Sequence, residues 1–145
     1  MTETISRHLT DDHHRCDRLL AACEAAIAET DWNAADDRTT AFQEALLRHF
    51  TLEEEILFPE LELANPGAGG PTRVMRMEHQ QMRQLLDELG AAVRARDRET
   101  CLGDLETLHF LGQQHNAKEE GILYPLADSS LGDGSEALLQ RLSDS

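Results

Sequence analysis

Aromatic residues make up only 4 % of this 145-residue chain, and valine occurs only as Val74 and Val93. A β-sheet covers its pleated faces with β-branched and aromatic side chains, so their scarcity argues against one. Ala, Leu, Glu, Arg and Gln dominate instead, and all of them favour helix. Positive charge is also sparse: 13 Lys and Arg face 28 Asp and Glu, a formal charge of -15. Nucleic acid and anionic membrane surfaces both require a basic footprint, so neither is an expected partner. No run of ~18 apolar residues is available to span a bilayer, and the opening MTETISRHLTDDHHR is polar, without an apolar signal segment. Cys16, Cys23 and Cys101 form no C-x-x-C pair and are odd in number. Reduced thiols in a cytoplasmic protein are the expectation. The length allows one domain, residues 1–145, to bury a core without disulfides or a structural metal.

Against this plain background one pattern occurs twice. His49-x-x-x-Glu53-Glu54-x-Ile56-Leu57-Phe58-Pro59 returns 66 residues later as His115-x-x-x-Glu119-Glu120-x-Ile122-Leu123-Tyr124-Pro125. The same offset carries Asp12-His13 onto Glu78-His79 and Leu19-Leu20 onto Leu85-Leu86, without a gap. A repeat that preserves polar residues as well as core leucines points to a symmetric buried site.

Apolar spacing predicts four helices: about 10–28, 34–63, 72–96 and 99–127. Asp31-Trp32-Asn33 separates the first two, with Asn33 as the expected cap of the second. Asn65-Pro66-Gly67-Ala68-Gly69-Gly70-Pro71 is the clearest loop and divides the repeats, about 10–63 and 72–127. Residues 129–134 read as loop, and 135–142 as a candidate short fifth helix. Pro59 and Pro125 are expected to kink or stop their helices, because proline lacks the amide hydrogen. Short connections between long amphipathic helices predict an all-α, up-down-up-down antiparallel four-helix bundle. A pseudo-twofold axis would relate its two αα halves.

Residues four apart on a helix share a face. His49 and Glu53 can therefore bind one ion together, as can His115 and Glu119, while His13 and His79 add an imidazole each from the facing helices. Four imidazoles and two carboxylates fit a dinuclear iron site, with zinc or manganese as other occupants that affinity alone does not exclude. Glu54 and Glu120 are alternatives to the residues before them, or hydrogen-bond partners of the imidazoles. His14 is the alternative to His13. Asp12 and Glu78 fit a capping role, support of a histidine, or direct ligation. His8 and His109 read as surface or packing histidines, Met75, Met77 and Met82 as core filler, and Cys16 and Cys23 as packed inside.

On Asp12-His13, His49-Phe50-x-x-Glu53-Glu54-x-Ile56-Leu57-Phe58-Pro59, Glu78-His79 and the second copy of the long motif, the chain resembles the hemerythrin-like proteins of the His-His-Glu cation-binding family. The resemblance implies a four-helix bundle holding two non-haem iron ions, bridged by carboxylates and an oxo or hydroxo group. It implies His13, His49, His79 and His115 as terminal ligands and Glu53 and Glu119 as bridges. Oxygen-carrying members have a second histidine four residues along the third helix, where this chain has Arg83, and an aspartate where it has Glu120. The site is therefore expected to be more symmetric, with open positions on both irons. Binding or sensing of oxygen, nitric oxide or peroxide is the leading functional expectation. A diiron oxidase or peroxidase, or an iron storage or delivery module, is the alternative.

Overall fold

Each long helix begins where a short polar side chain receives an otherwise unpaired amide. In the computed structural model, which describes residues 3–145, α1 spans Ile5–Ala28 and is capped by Thr4, whose hydroxyl accepts from the Arg7 amide. It starts five residues before the expected position, because Asp128 also accepts from the amides of Ile5 and Ser6 and ties this end down. Helix α2, Trp32–Leu52, is capped by Asp31 rather than Asn33. A π-helical turn, Glu53–Leu57, leads into α3, Phe58–Ala64. After a 3-10 turn at Pro66–Ala68 comes α4, Gly69–Arg94, so the expected loop is largely helical. Then follow α5, Arg98–Lys118, a second π turn at Glu119–Leu123, and α6, Tyr124–Leu131. A 3-10 turn at Gly132–Gly134 precedes α7, Ser135–Asp144, the fifth helix that the sequence suggested.

The repeat governs the connections as well. Both αα turns close through a left-handed residue, Thr30 and Arg96, each at φ 56°. In each, the next amide reaches back to a carbonyl five residues earlier: Asp31 to Ala26 at 2.9 Å, and Asp97 to Ala92 at 2.9 Å. This is a Schellman closure made without glycine. Asp31 and Asp97 then cap the following helices.

The prolines neither stop nor break the chain. The amide of Phe58 bonds to the Glu53 carbonyl, five residues back, and that of Tyr124 bonds to Glu119. The next donor in this wide register would be Pro59, which has none. Instead, the freed carbonyl of Glu54 lies 3.4 Å from the Arg76 guanidinium.

Helix α1 packs on α2 and α5, and α4 packs on α5 and α2, which closes a four-helix bundle. Among the described residues there is no strand. Two apolar layers fill it. One, around Ile27, Phe42, Leu86, Leu89 and Leu105, lies toward the αα turns. The other, around Ile5, Leu9, Leu61 and Tyr124, is covered by Leu138 and Leu142 of α7. Met75 and Met82 are buried in these layers, but Met77, two residues from Met75 and thus on the outer face, is 60 % exposed. Cys16, Cys23 and Cys101 are buried and unpaired. Among the described residues no helix is long and apolar enough to cross a membrane.

Candidate metal centre

Between the two apolar layers lies a layer of buried polar groups. His13 from α1, His49 from α2, His79 from α4, His115 from α5, and Glu53 and Glu119 from the first positions of the π turns are all buried. The six residues singled out from the sequence are thus brought together, in two overlapping groups. His13, His49, Glu53 and Glu119 form one, and His79, His115, Glu53 and Glu119 the other, with ligand atoms in each group within 4.8 Å of one another. The two glutamates belong to both. His14 is exposed on the outer face of α1, away from the cluster, and His109 on α5 is exposed at the rim of a small cavity that His13 also lines.

Every imidazole is held from outside by a carboxylate. His13 Nδ1 donates to Glu120 at 2.7 Å, and its repeat partner His79 donates to Glu54 at 2.6 Å. His49 Nδ1 donates to Asp12 at 2.7 Å, and its partner His115 donates to Glu78 at 2.8 Å. These four contacts give Asp12, Glu54, Glu78 and Glu120 one common position, which spacing alone left open. An N–H fixed on Nδ1 leaves the lone pair on Nε2, and all four Nε2 atoms turn inward. His13 Nε2 lies 3.0 Å from Glu119, His79 Nε2 lies 3.0 Å from Glu53, and His49 and His115 lie 3.4 and 3.3 Å from the glutamate of their own helix.

The outer carboxylates are themselves anchored. Glu54 accepts from both terminal nitrogens of Arg83, at 2.9 and 3.0 Å, and Glu78 pairs with Lys118. Arg83, at the position where the oxygen carriers have a further histidine, thus steadies Glu54 and lies over the Phe50 ring, 5.4 Å from its centre.

Charge is balanced inside the layer by these pairings. Burial alone would lower the His49 pKa, but the charge of Glu53 and hydrogen bonds to Asp12 and Glu53 raise it well above the imidazole range. Against the same burial, hydrogen bonding and charge from Glu119, together with Glu53 and Glu78, push His115 up to about 9. Burial works to raise Glu53, yet the charge of His49 and hydrogen bonds from the cluster hold it well below the carboxylate range.

Sequence reading missed Tyr124. Its hydroxyl stands in the first group, donating to Glu53 at 2.5 Å, and lies 3.0 Å from Glu119, 3.0 Å from His13 Nε2 and 3.3 Å from His49 Nε2. Burial, then the charges of Glu119 and Glu53, raise its pKa well above that of a free phenol. In a regular helix, with about 3.6 residues per turn, a residue nine beyond His115 would point roughly 180° away from it. The π turn takes up one extra residue, which brings Tyr124 back to within roughly 80° of that face. The one sequence signal was the change from Phe58 to Tyr124 inside the repeated motif. Phe58 occupies the corresponding place beside His79, stacked at 6.0 Å with no oxygen. The expected symmetry of the site is broken here.

The two groups differ accordingly in how their polar atoms are satisfied. Glu53 Oε1, His79 Nε2, His115 Nε2 and Glu119 Oε2 are buried and make no aligned hydrogen bond, although Glu53 Oε1 and His79 Nε2 stand only 3.0 Å apart. Orphaned buried polar atoms are costly and rare. Four of them facing one another, two anionic oxygens and two imidazole nitrogens, form the donor set of a cation site. Beside the first group, a small cavity of about 30 Å³ is lined by His13, Phe42, Phe50, Met82 and Leu108. That is space for a molecule about the size of water.

A family model, the hemerythrin HHE cation binding domain, matches residues 4–127. No curated protein and no solved structure matches the chain.

Proposed function

The chain belongs to the hemerythrin HHE cation-binding family, and from that premise we propose that it is a non-haem diiron protein that binds or senses a small ligand such as oxygen, nitric oxide or peroxide in the cytoplasm. The observation that carries this reading is the set of four inward Nε2 atoms, each fixed by an outer carboxylate, around two buried glutamates. One ion would be held by His13 and His49, the other by His79 and His115, with Glu53 and Glu119 bridging them. When bound, the irons supply open coordination positions and a redox couple. The protein's part is to turn all four Nε2 atoms inward, where a bound cation displaces the proton that His49 and His115 otherwise keep, to hold each ring from turning, and to exclude bulk water with the layers around Phe42, Phe50 and Leu57.

Metal content per chain tests the reading. Plasma mass spectrometry on protein produced with iron available is expected to give about two irons per chain, as the two ligand groups require. A single zinc, or no metal, would refute it. Stopped-flow mixing with peroxide then separates binding from enzymatic turnover. Sustained turnover with the centre intact would replace the binding reading with a peroxidase one.

A further inference from the structure

The position of Tyr124 goes beyond a supporting hydrogen bond. Around a six-coordinate ion with bonds of ~2.1 Å, adjacent ligand atoms lie about 3.0 Å apart. The Tyr124 oxygen stands 2.5 Å from Glu53 Oε2, 3.0 Å from Glu119 Oε1, 3.0 Å from His13 Nε2 and 3.3 Å from His49 Nε2. Three of these are close to the spacing of neighbouring ligands, and the fourth, to Glu53, is the short hydrogen bond that the phenol proton makes before a cation replaces it. Its contacts reach only the two histidines of the first group; no hydrogen bond joins it to His79 or His115. In the second group Phe58 offers no oxygen, and four polar atoms there make no aligned hydrogen bond.

We propose that the Tyr124 oxygen is a fifth protein ligand to the ion held by His13, His49, Glu53 and Glu119, leaving the ion of His79 and His115 as the one that admits an outside molecule. This deepens the diiron reading and rests on it. On ligation the phenol gives its proton to solvent, as cation binding displaces protons from other ligands. The π turn is what makes the arrangement available, because it alone turns residue 124 to the ligand face.

The test uses the full chain loaded with iron and oxidised, beside Tyr124→Phe prepared identically. The parent is expected to show a phenolate-to-iron absorption band in the visible, with resonance-enhanced phenolate ring vibrations, and to take up one azide per chain. Tyr124→Phe should keep its iron, lose the band and the ring vibrations entirely, and take up a second azide. An iron-loaded parent without phenolate vibrations, or one that takes up two azides, overturns the assignment of Tyr124 while leaving the diiron reading intact. A parent that takes up no iron overturns both. Phe58→Tyr provides an independent check: the phenolate band should strengthen and azide uptake fall, and unchanged azide uptake would contradict the proposal.

Discussion

Glu54 stands outside the ligand cluster yet fixes one of its imidazoles, and Glu54→Ala isolates that contribution. Three hydrogen bonds disappear: 2.6 Å from His79 Nδ1, and 2.9 and 3.0 Å from Arg83. Their weights differ. The Arg83 and Glu54 side chains are 24 % and 22 % exposed, so water replaces much of that pair and its loss costs less than ~1 kcal/mol. His79 is fully buried, and water cannot replace the bond to its Nδ1. A buried hydrogen bond to a charged group is worth about 1.5–3 kcal/mol. At 1.4 kcal/mol per factor of ten, metal affinity should fall roughly 10–100-fold. Competition against a chelator of known affinity measures this, with urea unfolding of the metal-free protein as the control for stability. Glu54→Gln, which keeps an acceptor oxygen, should recover most of the loss. An Ala variant whose affinity stays within about threefold of the parent would refute the claim that the outer carboxylates organise the site.

Asp104 provides a pH-dependent prediction away from the centre. Burial, with the neighbouring Glu88 carboxyl and the charge of Asp97, raises its pKa from 3.8 to about 6, and one of its oxygens is buried without a partner. Its charged form therefore opposes folding above about pH 6, while below about pH 4 both folded and unfolded chains are protonated and the effect vanishes. Asp104→Asn should stabilise the protein by ~1–2 kcal/mol at neutral pH and by almost nothing near pH 4; equal effects in urea melts at both would contradict this. Thr30→Gly removes a left-handed strain of ~1–2 kcal/mol but adds unfolded-state entropy, for a net gain of about 0.5–1 kcal/mol in thermal unfolding. A loss of stability would mean that the hydroxyl bond from Thr30 to the Glu29 carbonyl outweighs the strain. Asp128→Ala leaves the Ile5 and Ser6 amides without their acceptor and should cost ~1 kcal/mol, with faster hydrogen exchange at those two residues. Unchanged exchange there would show that α1 holds its first turn unaided.

The bundle was legible because the repeat set the helix count and the leucine spacing set the buried faces. His13, His49, His79, His115, Glu53 and Glu119 were legible for the same reason, as residues that recur at one offset on one face. What periodicity could not supply was any departure from regular helix. Ile122 recurs in the motif at the place of Ile56 but is 62 % exposed, on the outer side of the π turn. Tyr124 was hidden by the extra residue that this turn takes up. The helix starts were misplaced because their acceptors, Thr4, Asp31 and Asp128, act through geometry that hydrophobic spacing does not record. Four residues adjacent to ligands, Asp12, Glu54, Glu78 and Glu120, could be listed from the sequence but not given roles. Only the folded arrangement shows that each reaches the histidine of another helix.

The two π turns also give the chain a tolerance that ordinary substitution does not probe. Deleting one residue within 120–123 would let the segment close into regular helix, with Tyr124 then eight residues beyond His115 and still within roughly 80° of that face. A deletion within 54–57 would likewise leave Phe58 and Leu61 turned to the core. The regular helices on either side have no such slack: losing one residue from α2 or α5 would turn everything beyond it by roughly 100°. Each π turn therefore holds one residue in reserve, at the single point of its helix where the count of residues and the direction of the face are uncoupled.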